Sequence, residues 1–495
     1  MSWIFYAFVF LIFFGTLYIY IHVNDKALGS IPARALEFSP KRCTPEDVFA
    51  LAKKLDSQPP IELADQMPPK TGRRYIIIGG AGFLGGWIVV HLLQRGEDYK
   101  NIRVLDIRLP SRDDLKNGIG KDVDYKLVDM SDAEAVEKAF TAPWPEGASV
   151  SSPVSIFHTA ANIRFYERSP SLISNSSRVN VNGTQNIIDS ARSIGASTLI
   201  YTSSGSVAVR ASRFLLFPWQ SEPDHFVQAL NDDDSILPKE HAQFFSNYAY
   251  TKYLAEKRVR AADRLQSGSR TLRTGCIRPG NGVFGPGGDM LCGAYLVRET
   301  NPSWIYNIVS HFVYVENCAL AHLCYEQRLI ELENGSSNPD IGGQVFTITD
   351  PGTPPTYGDV YLTLETLSNG QTFFPKVSAT LMLMIAYLIE FYYLTRHFLV
   401  SSKFGLISKL LPAVNGDIVN LQPSLYSLTM VHLIFDDSRA RLPPEKGGLG
   451  YKGTWTTLEG LHKTYNEHVK GFVQILDLKV PELVLVLVWS ERRGE

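Results

Sequence analysis

Tyr248 and Lys252 stand four positions apart in Tyr248-Ala-Tyr-Thr-Lys252. On a helix, residues at i and i+4 share a face. A free tyrosine has a pKa of about 10, and a nearby ammonium favours its phenolate. Such a phenol can take a proton from an alcohol or return one to a ketone. A hydroxyl to hold the substrate oxygen is offered by the Ser203-Ser204 pair, after the apolar run Thr198 to Tyr201. Tyr250 has no lysine at this spacing and reads as a packing residue. Surface tyrosines near surface lysines are common, so the pattern gains meaning only from what the chain sets beside it.

Far upstream lies Gly79-Gly80-Ala81-Gly82-Phe83-Leu84-Gly85. The apolar run Arg74 to Ile78 before it reads as a buried strand. Phe83 to Gln94 after it has helical spacing, with Leu84, Ile88, Val89, Leu92 and Leu93 on one side. This strand–turn–helix setting is the one a dinucleotide-binding turn requires. Gly79 permits the tight turn, Gly82 lets the backbone approach a pyrophosphate, and Gly85 lets the helix pack on the strand. The free N–H groups of the first helical turn, at Phe83 and Leu84, then face the phosphates.

The next strand, Ile102 to Leu105, ends in Asp106. A carboxylate about 20 residues past the last glycine accepts hydrogen bonds from ribose hydroxyls and repels a 2′-phosphate. This predicts NAD over NADP, although Arg108 stands close. A third strand, Tyr125 to Val128, leads to Asp129 and Met130, placed to flank the adenine. A fourth, Val154 to His158, runs into Thr159-Ala160-Ala161, where small residues let a cofactor cross the strand ends. Strand–helix alternation predicts an α/β fold, a Rossmann-type doubly wound parallel sheet with right-handed crossovers. A bound oxidised nicotinamide also favours the phenolate of Tyr248, so the two motifs together point to hydride transfer at a carbinol carbon.

Six stretches fall in a familiar order: the glycine cluster, Val179 to Thr184, Tyr201 to Ser204, Tyr248 to Lys252, Arg278 to Gly287, and Phe312 to Ala319. In them the chain resembles the extended short-chain dehydrogenase/reductases. More narrowly, it resembles the 3β-hydroxysteroid dehydrogenase family, including decarboxylating sterol-4α-carboxylate 3-dehydrogenases. The resemblance covers roughly residues 73 to 465. It implies Ser204 as the catalytic hydroxyl, Tyr248 as acid/base and Lys252 as its activator, with Tyr248 and Lys252 also touching the cofactor. It further implies that Asn180 supports the site and that Pro279 lies by the nicotinamide carboxamide. The activity implied is NAD-dependent oxidation of a sterol or terpenoid 3β-alcohol, with loss of a C4 carboxylate as CO2 where one is present. Three alternatives stay open: a nucleotide-sugar epimerase or dehydratase, a steroid dehydrogenase that also moves a double bond, and a membrane scaffold without turnover. One departure is the 43 residues between Ser204 and Tyr248, carrying Phe214, Phe217, Trp219 and Phe226. They fit either a wall over an apolar substrate or a surface loop with its own small cluster.

The chain has 495 residues and a net charge of −2 with no basic stripe, which argues against a nucleic-acid partner. Its five cysteines are scattered, without Cys-x-x-Cys or metal-ligand spacing, and read as free thiols in a reducing compartment. No metal is expected, and His158 and His311 read as structural or substrate-lining. Trp3 to Ile21 carries no charge and is long enough to span a bilayer. Lys26, Arg34, Lys41 and Arg42 follow it, which keeps the catalytic part cytosolic. The expectation is a single-pass protein of the endoplasmic reticulum membrane. Its organisation reads as an anchor (1–24), a linker (25–70) with a short helix near Pro45 to Leu55, and an NAD-binding part (71–285). A smaller substrate-binding part (286–470) and an apolar tail (471–495) follow. Within the smaller part, 377–411 is apolar but carries Glu390, Lys403 and Lys409. It reads as a segment dipping into one leaflet rather than spanning it, or as buried helices. Beyond lipid and substrate, the partner expectation is a second copy or other membrane enzymes of the same pathway.

Overall fold

Arg74–Ile78 (β1) sends Tyr75 and Ile77 into one apolar layer and Ile76 and Ile78 into another. That alternation, with both sets apolar, is what a strand covered on both faces requires. The computed structural model, which describes residues 3–58, 63–401 and 411–471, builds a central sheet on this strand. The other members are β2 (Ile102–Asp106), β3 (Asp124–Leu127), β4 (Val154–His158), β5 (Thr198–Thr202), β6 (Arg273–Pro279) and β7 (Val345–Ile348). They are all parallel, in the order β7-β6-β5-β4-β1-β2-β3. The chain reverses its direction of winding between β1 and β4, and in such sheets ligands sit outside the carboxyl ends at that point. The Rossmann-type sheet expected from the sequence is therefore present. The third strand is displaced by one residue from its expected bounds, and the fifth runs on through Thr202.

The helices that matter here are α1 (Trp3–Leu28), α2 (Phe83–Gln94), α3 (Thr184–Ser193), α4 (Asn247–Ala261), α5 (Val315–Glu333) and α6 (Ala379–Ser401). α2 and α5 cover the face holding Tyr75 and Ile77; α3 and α4 cover the face holding Ile76 and Ile78. The crossover between β4 and β5 holds one helical path, Ile173 to Ser193, with a π turn, Arg178–Gly183, in its middle. β7 pairs with β6, so chain from beyond residue 286 returns to the central sheet. That return edge is tight: a Cβ on Gly275 of β6 would lie 2.3 Å from the Tyr325 ring of α5.

A third core joins the smaller part to the segment between Ser204 and Tyr248, with Phe214, Phe226, Tyr357, Tyr361, Leu383 and Tyr426 among its members. Val227–Leu230 of that segment pairs in parallel with His432–Phe435. Phe214 and Phe226 are buried in this core, whereas Phe217 and Trp219 are exposed.

α1 and α6 are both long and apolar enough to cross a membrane. The end of α1 packs on the protein: Asn24 donates to Phe214 O and Thr380 Oγ1, and Asp25 accepts from the backbone of Thr380. The stretch after α1 holds the helix Pro45–Ser57, capped by Thr44 and Asp47. It lies against the smaller part through Ser39 Oγ to Pro354 O at 2.6 Å and Arg42 to Asp359 at 2.9 Å. Of the apolar stretches read from the sequence, 402–410 and 472–495 lie outside the described residues.

Gly275→Ala should force α5 off the sheet. We expect it to cost about 1–3 kcal/mol, as overpacking in a filled core does, read as a lowered thermal midpoint in detergent. An unchanged midpoint would mean that α5 does not seat against β6 as described.

Candidate active site

β5 ends at Thr202, and Ser203-Ser204 leave the sheet in extended conformation. Ser204 caps the short turn Gly205–Ala208, accepting from Ser206 N at 3.2 Å and sharing a 2.8 Å hydrogen bond with Ser206 Oγ. A side chain at 205 would meet Pro279 O at 2.7 Å, so glycine there lets the end of β6 approach Ser204 closely. Pro279 is buried at that strand end.

α4 starts at an N-cap, Ser246, whose hydroxyl accepts from Ala249 N. Tyr248 falls in its first turn and keeps part of its surface open. Burial pushes its phenol up to about 12, and a hydrogen bond from Ser204 draws it down. Lys252, one turn on, is 1% exposed. Its ammonium donates to Thr202 O and lies 4.2 Å from the centre of the Tyr201 ring. Burial pushes it down to about 7, against the attraction of Cys276 and Glu256. The influence drawing the phenol down in the structure is thus Ser204, while the lysine is aimed at the end of β5.

Below Lys252, Glu256 Oε2 accepts from Ser203 Oγ at 2.6 Å, and Glu256 Oε1 pairs with Arg278 at 2.6 Å. Both charged side chains are at most 1% exposed. The π turn places Asn180, also buried, so that Nδ2 donates to Asn162 O at 3.1 Å and to Thr251 Oγ1 at 3.0 Å. Its Oδ1 accepts from Asn162 N at 2.7 Å. Thr251 in turn donates to Tyr248 O. π turns recur at functional sites because they re-aim one residue of a helix.

At the end of β1, Gly79 has φ +83°, and a Cβ there would touch Ala160 N at 2.8 Å. A Cβ on Gly85 would lie 2.3 Å from Gly79 O, so α2 packs directly on the turn. Gly82 is the N-cap of α2, and no side chain caps it. The first-turn N–H groups at Phe83 and Leu84, both partly exposed, are therefore left for an anion. Asp106 closes this edge: Ala81 N and Arg108 N each donate to it at 3.2 Å. Burial raises its pKa, and these bonds oppose the rise.

Ser204, Tyr248, Lys252 and Pro279 thus lie by the ends of β5 and β6, and Asn180 joins the chain after β4 to α4 through Asn162 and Thr251. Gly79, Gly82, Gly85, Asp106 and Ala160 meet at the ends of β1, β2 and β4. Of the two positions after β3, Asp129 is exposed and bonded to Ser131, while Met130 is buried against Gly183 of the π turn. His158 donates no charge here: it is buried beside Thr184 and pushed down to about 3. Residues that sequence reasoning missed are Asn162, Thr251 and Glu256, while Ser203 of the expected serine pair turns to Glu256. Glu256 carried a readable signal, since it lies four positions after Lys252 on the same helix.

Comparison with known proteins agrees with this geometry. The model of the 3-beta hydroxysteroid dehydrogenase/isomerase family matches residues 76–369. The chain is 29% identical over 412 residues to 3beta-hydroxysteroid-dehydrogenase/decarboxylase isoform 2 of Arabidopsis thaliana, covering 80% of this chain and 62% of that protein. The chain therefore spans somewhat less than two thirds of that relative's length. It is 28% identical over 281 residues to sterol-4-alpha-carboxylate 3-dehydrogenase erg26, decarboxylating, of Schizosaccharomyces pombe, covering 56% of this chain and 69% of that one. Among solved structures, UDP-glucose 4-epimerase of Thermotoga maritima superposes with a TM-score of 0.51 at 17% identity, covering 80% of this chain and 99% of that chain, a likeness of fold.

Gly85→Ala should wedge α2 from the turn and weaken dinucleotide binding by at least about tenfold, or about 1.4 kcal/mol. Energy transfer from protein tryptophan to a reduced dinucleotide would read it. Unchanged affinity would remove the glycine turn from the binding site.

Proposed function

Because the chain belongs to the 3-beta hydroxysteroid dehydrogenase/isomerase family, we propose that it oxidises the 3β-hydroxyl of a sterol or related terpenoid to the 3-ketone with NAD. The observation that carries the reading is the Ser204 hydroxyl beside the Tyr248 phenol, with Lys252 buried one turn behind it. The glycine turn, the uncapped start of α2 and Asp106 fit a dinucleotide. When bound, its oxidised nicotinamide accepts the hydride of the carbinol carbon. Ser204 holds the substrate oxygen, and Tyr248 takes the hydroxyl proton. A phenol at about 12 is neutral at physiological pH. Oxidation therefore needs positive charge brought near it, and Lys252 is the cation its own helix supplies. Asn180 holds the backbone on both sides of the site through Asn162 and Thr251.

If the substrate bears a C4 carboxylate, the product ketone is a β-keto acid. Its carbonyl accepts the electron pair left as CO2 departs, so decarboxylation asks little more of the protein. The apolar helices α1 and α6 support a substrate that lives in lipid. We assign the chain to the endoplasmic reticulum membrane, catalytic part in the cytosol.

Membranes bearing the protein, given NAD and 3β-hydroxysterols with and without a C4 carboxylate, should form NADH, and CO2 only from the carboxylated substrates. Tyr248→Phe should lower kcat by about 10²–10⁴. Undiminished turnover in that variant, or retained cofactor with no net redox, overturns the reading. Asp106→Ser should raise the ratio of NADP to NAD efficiency by about tenfold; a wild-type enzyme that already prefers NADP would remove the role given to Asp106.

A further inference from the structure

The segment between Ser204 and Tyr248 carries an aromatic pair that the catalytic reading does not use. Phe217 and Trp219 stack with ring centres 4.8 Å apart. Trp219 is 78% exposed and Phe217 49%, while Phe214 and Leu216 beside them are buried. An exposed tryptophan held on a rigid base is unusual for a water-facing loop, because it leaves a large apolar ring hydrated.

The base of this loop is fastened to α1. Tyr20 donates to Leu216 O at 3.1 Å, Asn24 Nδ2 donates to Phe214 O at 3.0 Å, and Leu216 N donates to Asn24 Oδ1 at 3.0 Å. Tyr20 lies inside the uncharged run Trp3 to Ile21, and Asn24-Asp25-Lys26 is where α1 turns polar. These two anchor points are about one helical turn apart, roughly 5.4 Å. The ring pair is therefore held at the depth where α1 passes from lipid to water. α6 begins at the same level, since Asn24 and Asp25 both bond Thr380. Along it, Leu381, Leu388, Phe391 and Phe398 are exposed. Arg213, 4.0 Å from the Phe217 ring, supplies a cation beside the pair.

We infer that Phe217 and Trp219 form an interfacial foot, seated at the headgroup–acyl boundary of the leaflet from which α1 emerges. The occupant is a phospholipid bilayer. If α1 lies in lipid, the hydrogen bond from Tyr20 leaves the loop nowhere else to be. Tryptophan is the residue that favours this layer, with its ring among the upper acyl carbons and its N–H in the headgroups. A single helix would let the domain swing about the α1 axis; a second contact, offset from that axis, fixes which side faces lipid. Between the loop and α6 is a cavity of about 120 Å³ lined by Phe214, Phe244 and Leu383 together with Arg168, Ser212 and His241. The inference rests on the membrane reading of α1 given above.

The test uses the full chain in phosphatidylcholine vesicles, with the lipid either unmodified or brominated near the headgroup end of its acyl chains. Tryptophan emission is compared between the wild type and Trp219→Phe, which replaces only an exposed ring. The emission belonging to Trp219, the difference between the two proteins, should fall by at least about half in the brominated lipid, as for a ring buried about 5–10 Å into the boundary. Equal difference emission in the two lipids overturns the foot. Trp3 is one of six tryptophans that remain in both proteins, so a third protein, Trp3→Phe, isolates its share by the same difference. Absence of quenching in the Trp3 difference would overturn the membrane reading of α1, and the foot with it.

Discussion

The placement of the candidate site depends on one buried carboxylate. Glu256 stands a turn beyond Lys252 on α4 and is fully enclosed. It accepts from Ser203, at the end of β5, and pairs with Arg278, near the end of β6. Three elements that the chain reaches far apart in sequence are thereby held at one height. A buried pair of this kind repays its dehydration only when its geometry is good and its remaining atoms are bonded. Here the carboxylate has partners on both oxygens, which leaves α4 little freedom to slide along the sheet. Sliding would separate Tyr248 from Ser204, because one sits on the helix and the other on the strand end.

The same restraint explains the electrostatics of the pair it supports. Lys252 is dehydrated, which disfavours its charge, yet Glu256 lies close enough to favour it. Tyr248 has no comparable partner and stays a neutral phenol. Under the proposed reading, Lys252 on the same helix supplies the positive charge that favours the phenolate.

Much of this was legible in the residues. The strands β1, β2, β4 and β5 announce themselves as short apolar runs closed by glycine or small polar residues, and α2 and α4 by helical spacing. Gly79 and Gly85 flank the turn after β1, Asp106 ends β2, Ser204 follows β5, and Tyr248 and Lys252 lie on α4, because each of these positions is fixed by backbone geometry within a few residues. What could not be read depends on contacts across the chain. The π turn at Arg178–Gly183 has no signature in periodicity, since it adds one residue to a turn without changing which residues are apolar. Met130 looked available to a cofactor by its position after β3, yet it is buried against Gly183. The stretch after α1 looked like a spacer by its prolines and charges, but its Arg42 pairs with Asp359, more than 300 residues away.

The charge inside the second apolar stretch shows the limit of composition most clearly. Glu390 interrupts the run that becomes α6, and in sequence it counts against a lipid-facing helix. In the structure it forms two 2.6 Å hydrogen bonds with Arg168, and its side chain is only 12% exposed. Three positions on, Tyr393 donates to Glu167 Oε1 at 2.7 Å. Both residues therefore mark the side of α6 that faces the domain, leaving Leu388 and Phe391 on the exposed side. The loop they grip is not a neutral one. Glu167 O accepts from Asn247 N at 2.7 Å, and Ser169 O accepts from Asn247 Nδ2 at 2.8 Å. Asn247 is the first residue of α4, immediately before Tyr248. A short chain of hydrogen bonds thus runs from the apolar helix through residues 167–169 to the start of the helix that carries the phenol. A charge that weakens α6 as a membrane segment is what orients α6 against the site.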